Sequence, residues 1–562
     1  MNAAGISLKS TIVLSTTAML MAAPLMAAAD SGTPQIKSFA FTKTLPKAPV
    51  DPLGVNDYSR LPNIGPGTSS GALSINLGFE GTSDYDTRAL GIGVIPPDTM
   101  GAVGTTQYVQ LINGSFTVYN KSDGSLAAPR QTDSSWWTSL GGTTTGGDPR
   151  VMFDPVTSRW LALGFDDTLG GVNLGVSATD NALGAWNVTT LSINAGGIAD
   201  YPTLSISGNS VVIGTNNFSS GGGYQGTSLV LLPKADVFGA GGPVVTGAQT
   251  FNTPYPGTFE DRGFAIQGVN TQSTSGPVNV VAASAYAFDA MTYRVTGAGT
   301  PGVAQTSQVY LSTTGGSVYD GNSAARQPTT NGSARVVDAL DDRVSASAWE
   351  VDGRIYFVHA ITPTGTDNTA IRIVVLDAAT QAVLSETDIN DPSGSFDFYQ
   401  GSLAVNEFGQ VVVGYNRSGD ISTGAGEAGE GRISVFARSF NTNPDGTLTM
   451  TGDLLLKESL VDDYHNGSAE GADPVGRQRW GDYSAVSLDP TDGQSFWVIG
   501  QFAREYNNEA GGHPGGSGFG RWGTWITELN VTAVPEPSTW LMMIVGFGAI
   551  GAATRRGRPA VA

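Results

Sequence analysis

The stretch DFYQGSLAVNEFGQVVVGYN, residues 397–416, decides the fold of this chain. It begins with Asp397, continues through a strand of small residues such as Ser402, turns at Phe408 and Gly409, and ends in an apolar strand. Short runs of strand-forming residues joined by a glycine-containing turn are typical of β-hairpins. The stretch therefore predicts two antiparallel strands opened by an aspartate.

The same pattern recurs along the chain. Each copy begins with an aspartate, passes through a strand of small residues and a polar turn, and ends in an apolar strand. The opening aspartates are Asp98, Asp148, Asp200, Asp261, Asp342, Asp397 and Asp482. Their intervals of about 50 to 85 residues leave room for four strands each, which is one propeller blade with its loops. The sequence predicts an all-β fold, a seven-bladed β-propeller over residues 87–532; a pair of β-sandwiches would give no reason for the repetition.

The ends of this region are expected to meet. The strand RWGTWITEL, residues 521–529, is predicted to complete the last blade beside a strand that precedes Asp98. Such closure removes free sheet edges. Residues 30–86 are rich in Pro, Gly, Ser and Thr, and they are interpreted as a linker or a strap over the domain.

The first residues predict export. Lys9 supplies a positive charge, an apolar stretch runs from Ile12 to Leu25, and the small residues Ala27 to Ala29 suit signal peptidase. The apolar stretch is shorter than the roughly 20 residues that a membrane-spanning helix needs. We therefore expect a cleavable signal peptide over residues 1–29 rather than a first membrane helix.

The C-terminal segment, residues 533–562, has three parts in a fixed order. A helix-breaking triplet comes first, a short apolar segment follows, and a basic stop comes last; the defining residues are Pro535, Glu536, Pro537, Arg555, Arg556 and Arg558. This order resembles the PEP-CTERM signal that exosortase reads in Gram-negative bacteria. The resemblance implies transient membrane contact through a short hydrophobic helix, cleavage by exosortase, and a secreted or cell-surface protein. A permanent C-terminal anchor is the alternative.

Two longer stretches also resemble a known group. They are PPDTMGAVGTTQYVQLINGSFTVYNKSDG, residues 96–124, and RWGDYSAVSLDPTDGQSFWVIGQFA, residues 479–503. The first is similar to the opening blade, and the second to the closing blade, of secreted bacterial propellers with the architecture of BNR and sialidase-type proteins. The turn from Asp489 to Trp497 is similar to a degenerate Asp-box, which is a structural turn. The resemblance implies a fold and supplies no catalytic set.

Composition narrows the function. Asp and Glu outnumber Lys and Arg by 49 to 29, which gives a formal charge of −20, and cysteine is absent. A phosphate backbone would be repelled by this charge, so nucleic acid is not expected as a partner. The lack of cysteine excludes disulfides, thiol nucleophiles and cysteine-ligated zinc. Negative charge suits an extracellular protein and attracts divalent cations.

The seven opening aspartates form the main candidate site, because they are expected to ring one mouth of the central channel. Clustered carboxylates are oxygen ligands suited to calcium. The alternative, which we expect, is that each carboxylate accepts backbone N–H bonds and fixes its own turn. Calcium is the only cofactor that the sequence suggests.

An enzyme remains the second hypothesis. Glycoside cleavage needs paired carboxylates, and lyase chemistry needs a base beside a neutralising cation. The candidates are Asp148 with Arg150, Asp342 with Arg343, Glu350, and Asp482 with Tyr483, but a surplus of acids makes such pairs common by chance. His359 lies in the apolar strand IYFVHAI and is expected to be packed.

The sequence thus predicts a secreted or surface-displayed propeller that binds carbohydrate or another matrix component, with extracellular polysaccharide as a partner. Trp136 and Trp137 could stack on sugar rings if they are exposed, although packing between blades is the commoner use of tryptophan. A polysaccharide-acting enzyme of the same fold, a glycoside hydrolase or a lyase, is the alternative.

Overall fold

The structure is a computed structural model. It describes residues 60–254, 263–274, 276–283, 290–295, 305–310, 316–317, 324–328, 335–363, 365–420, 430–461, 464, 468–470, 477–505 and 521–532. The predicted signal peptide, Asp261 and the C-terminal sorting residues lie outside these described residues. The described chain is mostly β-structure, with short helices only.

The elements follow one another as short strands, as the turn-rich sequence predicts. Those before residue 195 are β1 (Ser69–Ser70), β2 (Leu73–Ser83), α1 (Asp84–Ala89), β3 (Gly101–Val103), β4 (Gln107–Ile112), β5 (Ser115–Asn120), α2 (Asp133–Ser139), β6 (Arg150–Asp154), β7 (Arg159–Phe165), β8 (Gly171–Ser177) and β9 (Trp186–Ser192). Those from there to residue 340 are β10 (Gly197–Ser207), β11 (Ser210–Ser219), β12 (Tyr224–Pro233), α3 (Lys234–Phe238), β13 (Gln249–Pro254), β14 (Phe264–Asn270), β15 (Val278–Ala283), β16 (Ala290–Val295), β17 (Gln305–Tyr310), β18 (Gly316–Ser317), β19 (Ala324–Arg326) and β20 (Arg335–Asp338). The remaining strands are β21 (Ala348–Val351), β22 (Arg354–Pro363), β23 (Ala370–Asp377), β24 (Val383–Ile389), β25 (Phe396–Val405), β26 (Gln410–Gly419), β27 (Ser434–Thr442), β28 (Leu448–Lys457), β29 (Ser468–Glu470), β30 (Arg477–Gln478), β31 (Ala485–Leu488), β32 (Phe496–Glu505) and β33 (Arg521–Val531).

Most strands pair with their sequence neighbours as antiparallel meanders. The meanders are β3-β4-β5, β6 to β9, β10 to β13, β14 to β17, β21 to β24, β25 to β28, and β31-β32-β33. The last meander is completed by β2, which pairs with β33 from Leu73 opposite Val531 to Ser83 opposite Gly523. The prediction that RWGTWITEL pairs with a strand preceding Asp98 is therefore confirmed. β2 lies inside the range 30–86 that was interpreted as a linker or strap, so the folded sheet begins before residue 87.

The first strands of the meanders contact one another in a closed cycle. β3 contacts β6, β6 contacts β10, β10 contacts β14, β14 contacts β21, β21 contacts β25, β25 contacts β31, and β31 contacts β3 again. Small buried residues such as Ser402, Ala404 and Ala485 line these strands and allow the close approach. The arrangement is that of a propeller-type fold, and its blade count stays a prediction.

Several first strands have a residue with left-handed backbone geometry just ahead of them or within their first half. These residues are Asp98 (φ 48°), Asp148 (φ 51°), Tyr201 (φ 51°), Ala265 (φ 50°) and Gln400 (φ 57°). Aspartate adopts this conformation more readily than most residues, which gives a physical reason for aspartate at the first two positions. In the third and sixth repeats, Asp200 and Asp397 stand before the left-handed residue. The repeated aspartate therefore does not stand at the same position relative to the left-handed residue in every repeat.

A small additional sheet, in the order β19-β20-β30-β29, is built from segments that precede β21 and β31. Its residues Ala325 and Val337 share an apolar cluster with Tyr399, at the start of β25, and with Trp480, just before β31. The sheet therefore packs beside the starts of the first strands. In the part of the chain that the structure describes, no helix is long and apolar enough to cross a membrane.

Candidate functional site

The starts of the first strands bring charged and aromatic side chains together from distant parts of the sequence. We call this group the axial cluster; it consists of Asp98, Asp148, Asp200, Asp482, Arg150, Arg343, Arg479, Tyr201 and Tyr483. Most of its members precede or begin β3, β6, β21 and β31, while Asp200 and Tyr201 lie inside β10, where the strand has a bulge. The cluster therefore lies near the N-terminal ends of the first strands.

A chain of hydrogen bonds joins three of the aspartates. The Asp98 carboxylate accepts from the backbone N–H of Asp482 at 2.8 Å and from Asn113 Nδ2 at 2.8 Å. Asn113 Oδ1 in turn accepts from the backbone N–H of Asp148 at 2.9 Å. Asp148 Oδ2 accepts from the backbone N–H of Tyr201 at 3.2 Å. These bonds connect the last meander to the first, the second and the third.

Arginines balance the negative charge. Arg479 bridges two carboxylates, with Nη1 at 2.9 Å from Asp338 and Nη2 at 2.8 Å from Asp482. Arg343 makes a two-point contact with Asp341, at 2.6 Å through Nε and 2.7 Å through Nη2. Paired geometry of this kind fixes the guanidinium plane as well as its charge. Both arginines are therefore held by carboxylates of the same region.

Aromatic rings fill the space between the charges. The Arg150 guanidinium lies 3.5 Å from the centre of the Tyr483 ring and 5.0 Å from that of Tyr201, and the two rings meet edge to face at 5.9 Å. The Tyr483 hydroxyl donates to the Pro149 carbonyl at 2.8 Å, and the Tyr201 hydroxyl donates to the Ser345 carbonyl at 2.9 Å. The two hydroxyls thus tie together strands that are not adjacent in the cycle.

Burial changes the protonation of the carboxylates. The pKa of Asp98 is raised well above its ordinary value by burial, and further by the charges of Asp482 and Asp148. Burial, followed by repulsion from Asp200 and Asp482, raises the pKa of Asp148 to about 8. Partial burial raises the pKa of Asp200 to about 6, and the Arg343 guanidinium opposes this rise. At neutral pH the cluster therefore retains protons, as expected for close carboxylates in a dry site.

The structure does not bring all seven predicted aspartates together. Asp397 is buried and points to a different partner, since its carboxylate accepts from the backbone N–H of Arg326 at 2.9 Å, from Arg326 Nε at 2.8 Å, and from the backbone N–H of Thr369 at 2.9 Å. Asp342 is half-buried ahead of β21, and it is not among the groups with the largest effects on the pKa values of Asp98, Asp148 and Asp200. Asp261 lies outside the described residues.

Sequence reasoning missed Asn113 and Arg479. Asn113 stands in the hairpin turn between β4 and β5, where Asn-Gly is a turn signal and does not by itself indicate a long-range contact. Arg479 opens the stretch RWGDY, but its ion pair with Asp338 joins residues 141 positions apart. No local pattern encodes such a pairing.

The metal hypothesis has no geometric support in the described residues. Among them, no group of three or more His, Asp or Glu side chains is arranged to hold a metal ion. Asp98, Asp148 and Asp482 are occupied by the hydrogen bonds and ion pairs described above. The observed contacts fit hydrogen-bonded carboxylates better than a calcium shell.

The two tryptophans, the Asp489 turn and Glu350 all make contacts within the protein. Trp136 and Trp137 are buried, and Trp136 stacks on Phe116 at 4.1 Å, so neither offers a face for a sugar ring. The turn that resembles an Asp-box is held by its own aspartate: Asp489 accepts from the backbone N–H of Thr491 at 2.9 Å and from Trp497 Nε1 at 3.1 Å. Glu350 accepts from Asn279 Nδ2 at 2.9 Å.

Comparisons with known proteins identify the C-terminal segment. Residues 533–558 match the PEP-CTERM protein-sorting motif. The motif identifies an exported protein, secreted or at the cell surface, of the kind that exosortase processes in Gram-negative bacteria. No curated protein matches the chain.

Solved structures give only distant similarities. A WD40 domain of coronin from Toxoplasma gondii is 8% identical, covers 84% of this chain and 90% of its own, and has a TM-score of 0.37. An endo-1,4-beta-xylanase from Bacteroides thetaiotaomicron is 11% identical, covers 55% and 95%, and has a TM-score of 0.26. An alpha-L-arabinofuranosidase from Lactobacillus brevis is 13% identical, covers 54% and 92%, and has a TM-score of 0.27. Similarities of this size assign no function.

Proposed function

We propose that this chain is an exported β-propeller that stands at the cell surface or in extracellular polysaccharide and binds carbohydrate or another matrix component. The observation that carries the proposal is the sorting motif at residues 533–558, attached to a β-rich chain without cysteine. A signal peptide over residues 1–29 would begin the export that the C-terminal motif completes.

The proposed architecture is a single ring of seven blades. The closed cycle of contacts among β3, β6, β10, β14, β21, β25 and β31 supports it, because each of these strands begins its own meander. The pairing of β2 with β33 supports closure, since it joins strands about 450 residues apart. A ring of blades leaves only short outer sheet edges, which suits a secreted protein exposed to other chains.

Binding is favoured over catalysis by the state of the axial cluster. Asp98 and Asp148 are only 2% and 4% exposed, and protein groups already occupy their carboxylates. The stacked Arg150, Tyr201 and Tyr483 fill the space beside them. A group that reacts with a polymer must reach the substrate within hydrogen-bond distance, and this packing leaves these carboxylates little access.

One observation favours the alternative of a polysaccharide-acting enzyme. Asp200 is half-buried, its pKa is raised to about 6, and Asp148 nearby has a pKa of about 8. Two carboxyl groups with pKa values pushed apart are the arrangement that general acid–base catalysis uses. Asp200 is therefore the residue that an enzyme of this fold would rely on.

The test is a panel of polysaccharides incubated with the mature protein, with both retention and product release measured. We expect retention of at least one polymer without new reducing ends or unsaturated uronates. The variant Asp200→Asn is expected to retain the same polymer. Product release by the wild type that disappears in Asp200→Asn would replace the binding proposal with the enzyme. Absence of both retention and product release across the panel would refute both.

A further inference from the structure

A small pocket lies beside the axial cluster, between the β21 and β25 meanders. Its polar lining is Asp341, Arg343, Ser345, His359 and Gln400, and it has a volume of about 10 Å³. We call it the His359 pocket. That volume suits a single water-sized group, such as one hydroxyl. Asp341 and Ser345 are half-buried, so the pocket reaches the surface on their side.

Two buried side chains in this pocket have polar atoms that the protein does not fully hydrogen-bond. His359 is 2% exposed and Gln400 is 5% exposed. Among the described residues, neither amide atom of Gln400 has a hydrogen-bond partner. The ring of His359 has only backbone contacts, with Asp342 and Ala360, that fall short of full hydrogen-bond geometry. Buried polar groups in folded proteins are nearly always hydrogen-bonded. Incompletely satisfied polar atoms on two residues that line one small cavity therefore point to a ligand.

The contrast with the other repeats strengthens this reasoning. Gln400 has the same left-handed backbone as Asp98 and Asp148, although it lies at a bulge inside β25 and not ahead of the strand. The carboxylates of those aspartates are bonded to protein groups, as described above. The backbone carbonyl oxygen of Gln400 accepts a hydrogen bond from Ser484 Oγ at 2.7 Å. Its side-chain amide has no hydrogen-bond partner among the described residues. In the first two repeats the side chain of the left-handed residue therefore binds other parts of the protein. The side chain of Gln400 does not.

The pocket offers neutral donors and acceptors. The only cation in its lining, Arg343, is held by both oxygens of Asp341. Burial, and then the charge of Arg372, lowers the pKa of His359 to about 4, so the imidazole is uncharged at neutral pH. A neutral imidazole and an amide together provide donors and acceptors for one hydroxyl group. A charged ligand group would enter without a counter-ion.

We propose that the His359 pocket binds a neutral hydroxyl group of a sugar, and that the protein therefore prefers neutral glycans to uronate-containing ones. The inference rests on the proposed carbohydrate-binding function and names its ligand class. One hydroxyl accepts a hydrogen bond from Gln400 Nε2 and donates a hydrogen bond to a ring nitrogen of His359 or to Gln400 Oε1. Water has the same chemistry, so the test must separate the two.

The experiment uses the mature protein labelled with ¹⁵N in its histidine rings. The chain has three histidines, so the spectrum is simple, and His359→Gln assigns the signals of His359. The probes are the methyl glycosides of glucose, galactose and mannose, each matched with its methyl uronide. We expect at least one neutral glycoside to shift the His359 ring signals, and its uronide to leave them unchanged.

Variants locate the contact. Gln400→Ala should weaken the binding of the neutral glycoside about tenfold, the loss expected for a hydrogen bond in a buried site. The matched control is Gln410→Ala on the neighbouring strand, where Gln410 is 7% exposed and its amide oxygen accepts from Asn406 Nδ2 at 2.8 Å. Gln410→Ala should bind the glycoside as the wild type does.

The outcomes separate this inference from the proposed function. Polymer retention with unmoved His359 signals overturns the pocket and leaves the binding function in place. Equal shifts with the uronide overturn the preference for neutral sugars. Ring signals that indicate hydrogen bonding without sugar and do not respond to sugar identify a structural water and also overturn the proposal. Shifts with a neutral glycoside but no polymer retention support the pocket and refute the matrix-binding role.

Discussion

Replacement of Asn113 by alanine tests whether the axial cluster holds the first and last repeats together. Asn113 is 9% exposed, and its amide group makes three hydrogen bonds: Nδ2 donates to the Pro96 carbonyl at 3.0 Å and to the Asp98 carboxylate at 2.8 Å, and Oδ1 accepts from the backbone N–H of Asp148 at 2.9 Å. Alanine removes all three and adds no clash. It leaves a carbonyl, a carboxyl oxygen and an N–H group without their partner.

The expected loss of stability follows from those three groups. A buried polar group that loses its partner costs roughly 1–3 kcal/mol. Water can enter the space left by the amide and bond to these groups, so each loss is expected at the lower end of that range. The three groups together give a loss of about 3 kcal/mol for Asn113→Ala. Asn120 provides the matched control: it lies at the open end of the same hairpin, is half-buried, and its side-chain amide donates to Ser125 Oγ at 2.9 Å, just after β5. Asn120→Ala should cost less than about 1 kcal/mol.

The assay is urea unfolding followed by tryptophan fluorescence, with 10 tryptophans in the chain as reporters. The midpoint should fall for Asn113→Ala at an unchanged slope, because the substitution alters stability and not the surface exposed on unfolding. If Asn113→Ala and Asn120→Ala unfold at the same urea concentration, the network through Asn113 contributes nothing beyond its own hairpin. The reasoning about the cluster would then fail.

Three further predictions concern pH, metal and processing. The pKa of Asp148 is raised from 3.8 to about 8, so the folded protein keeps a proton that the unfolded chain releases; this contribution to stability is complete below pH 4 and is lost as the pH rises to 8. Asp148→Asn should therefore gain stability relative to the wild type between pH 5 and pH 8 in urea unfolding, and a constant difference would contradict the shift. Chelation by EDTA should leave the melting temperature unchanged, whereas a loss that calcium restores would indicate a metal site. Mass spectrometry of the surface protein should find an N-terminus after Ala29 and a C-terminus near Pro535 to Pro537, and recovery of Arg555 would contradict the sorting motif.

The strand pattern of this chain is predictable from its sequence because hairpins are local. The stretch from Asp397 to Asn416 forms β25 and β26 with the turn at Phe408 and Gly409, as its residue pattern indicates. The closing strand, residues 521–529, was also predictable, since an unpaired last strand in a ring needs a partner. In both cases a short segment carries enough information to specify its own structure.

The site was harder to predict, because its contacts join distant residues. The aspartate repeat indicated the right region, but Asp397 contacts Arg326 while Asp98, Asp148 and Asp482 contact the cluster. The difference arises because the left-handed residue in the sixth repeat is Gln400, three positions after Asp397. An aspartate that recurs in the sequence does not show where a β-bulge occurs in each strand. Because a bulge changes the direction of the following side chains, the repeat alone cannot show which way each aspartate points.

The most direct test of the closed ring is an experimental structure of the mature protein, viewed along the axis of the first strands. We predict seven blades around one axis, with β2 paired to β33 in the closing blade and the Asp98 carboxylate within hydrogen-bond distance of the Asp482 N–H. A ring of six or eight blades, or two separate stacked sheets, would contradict the account.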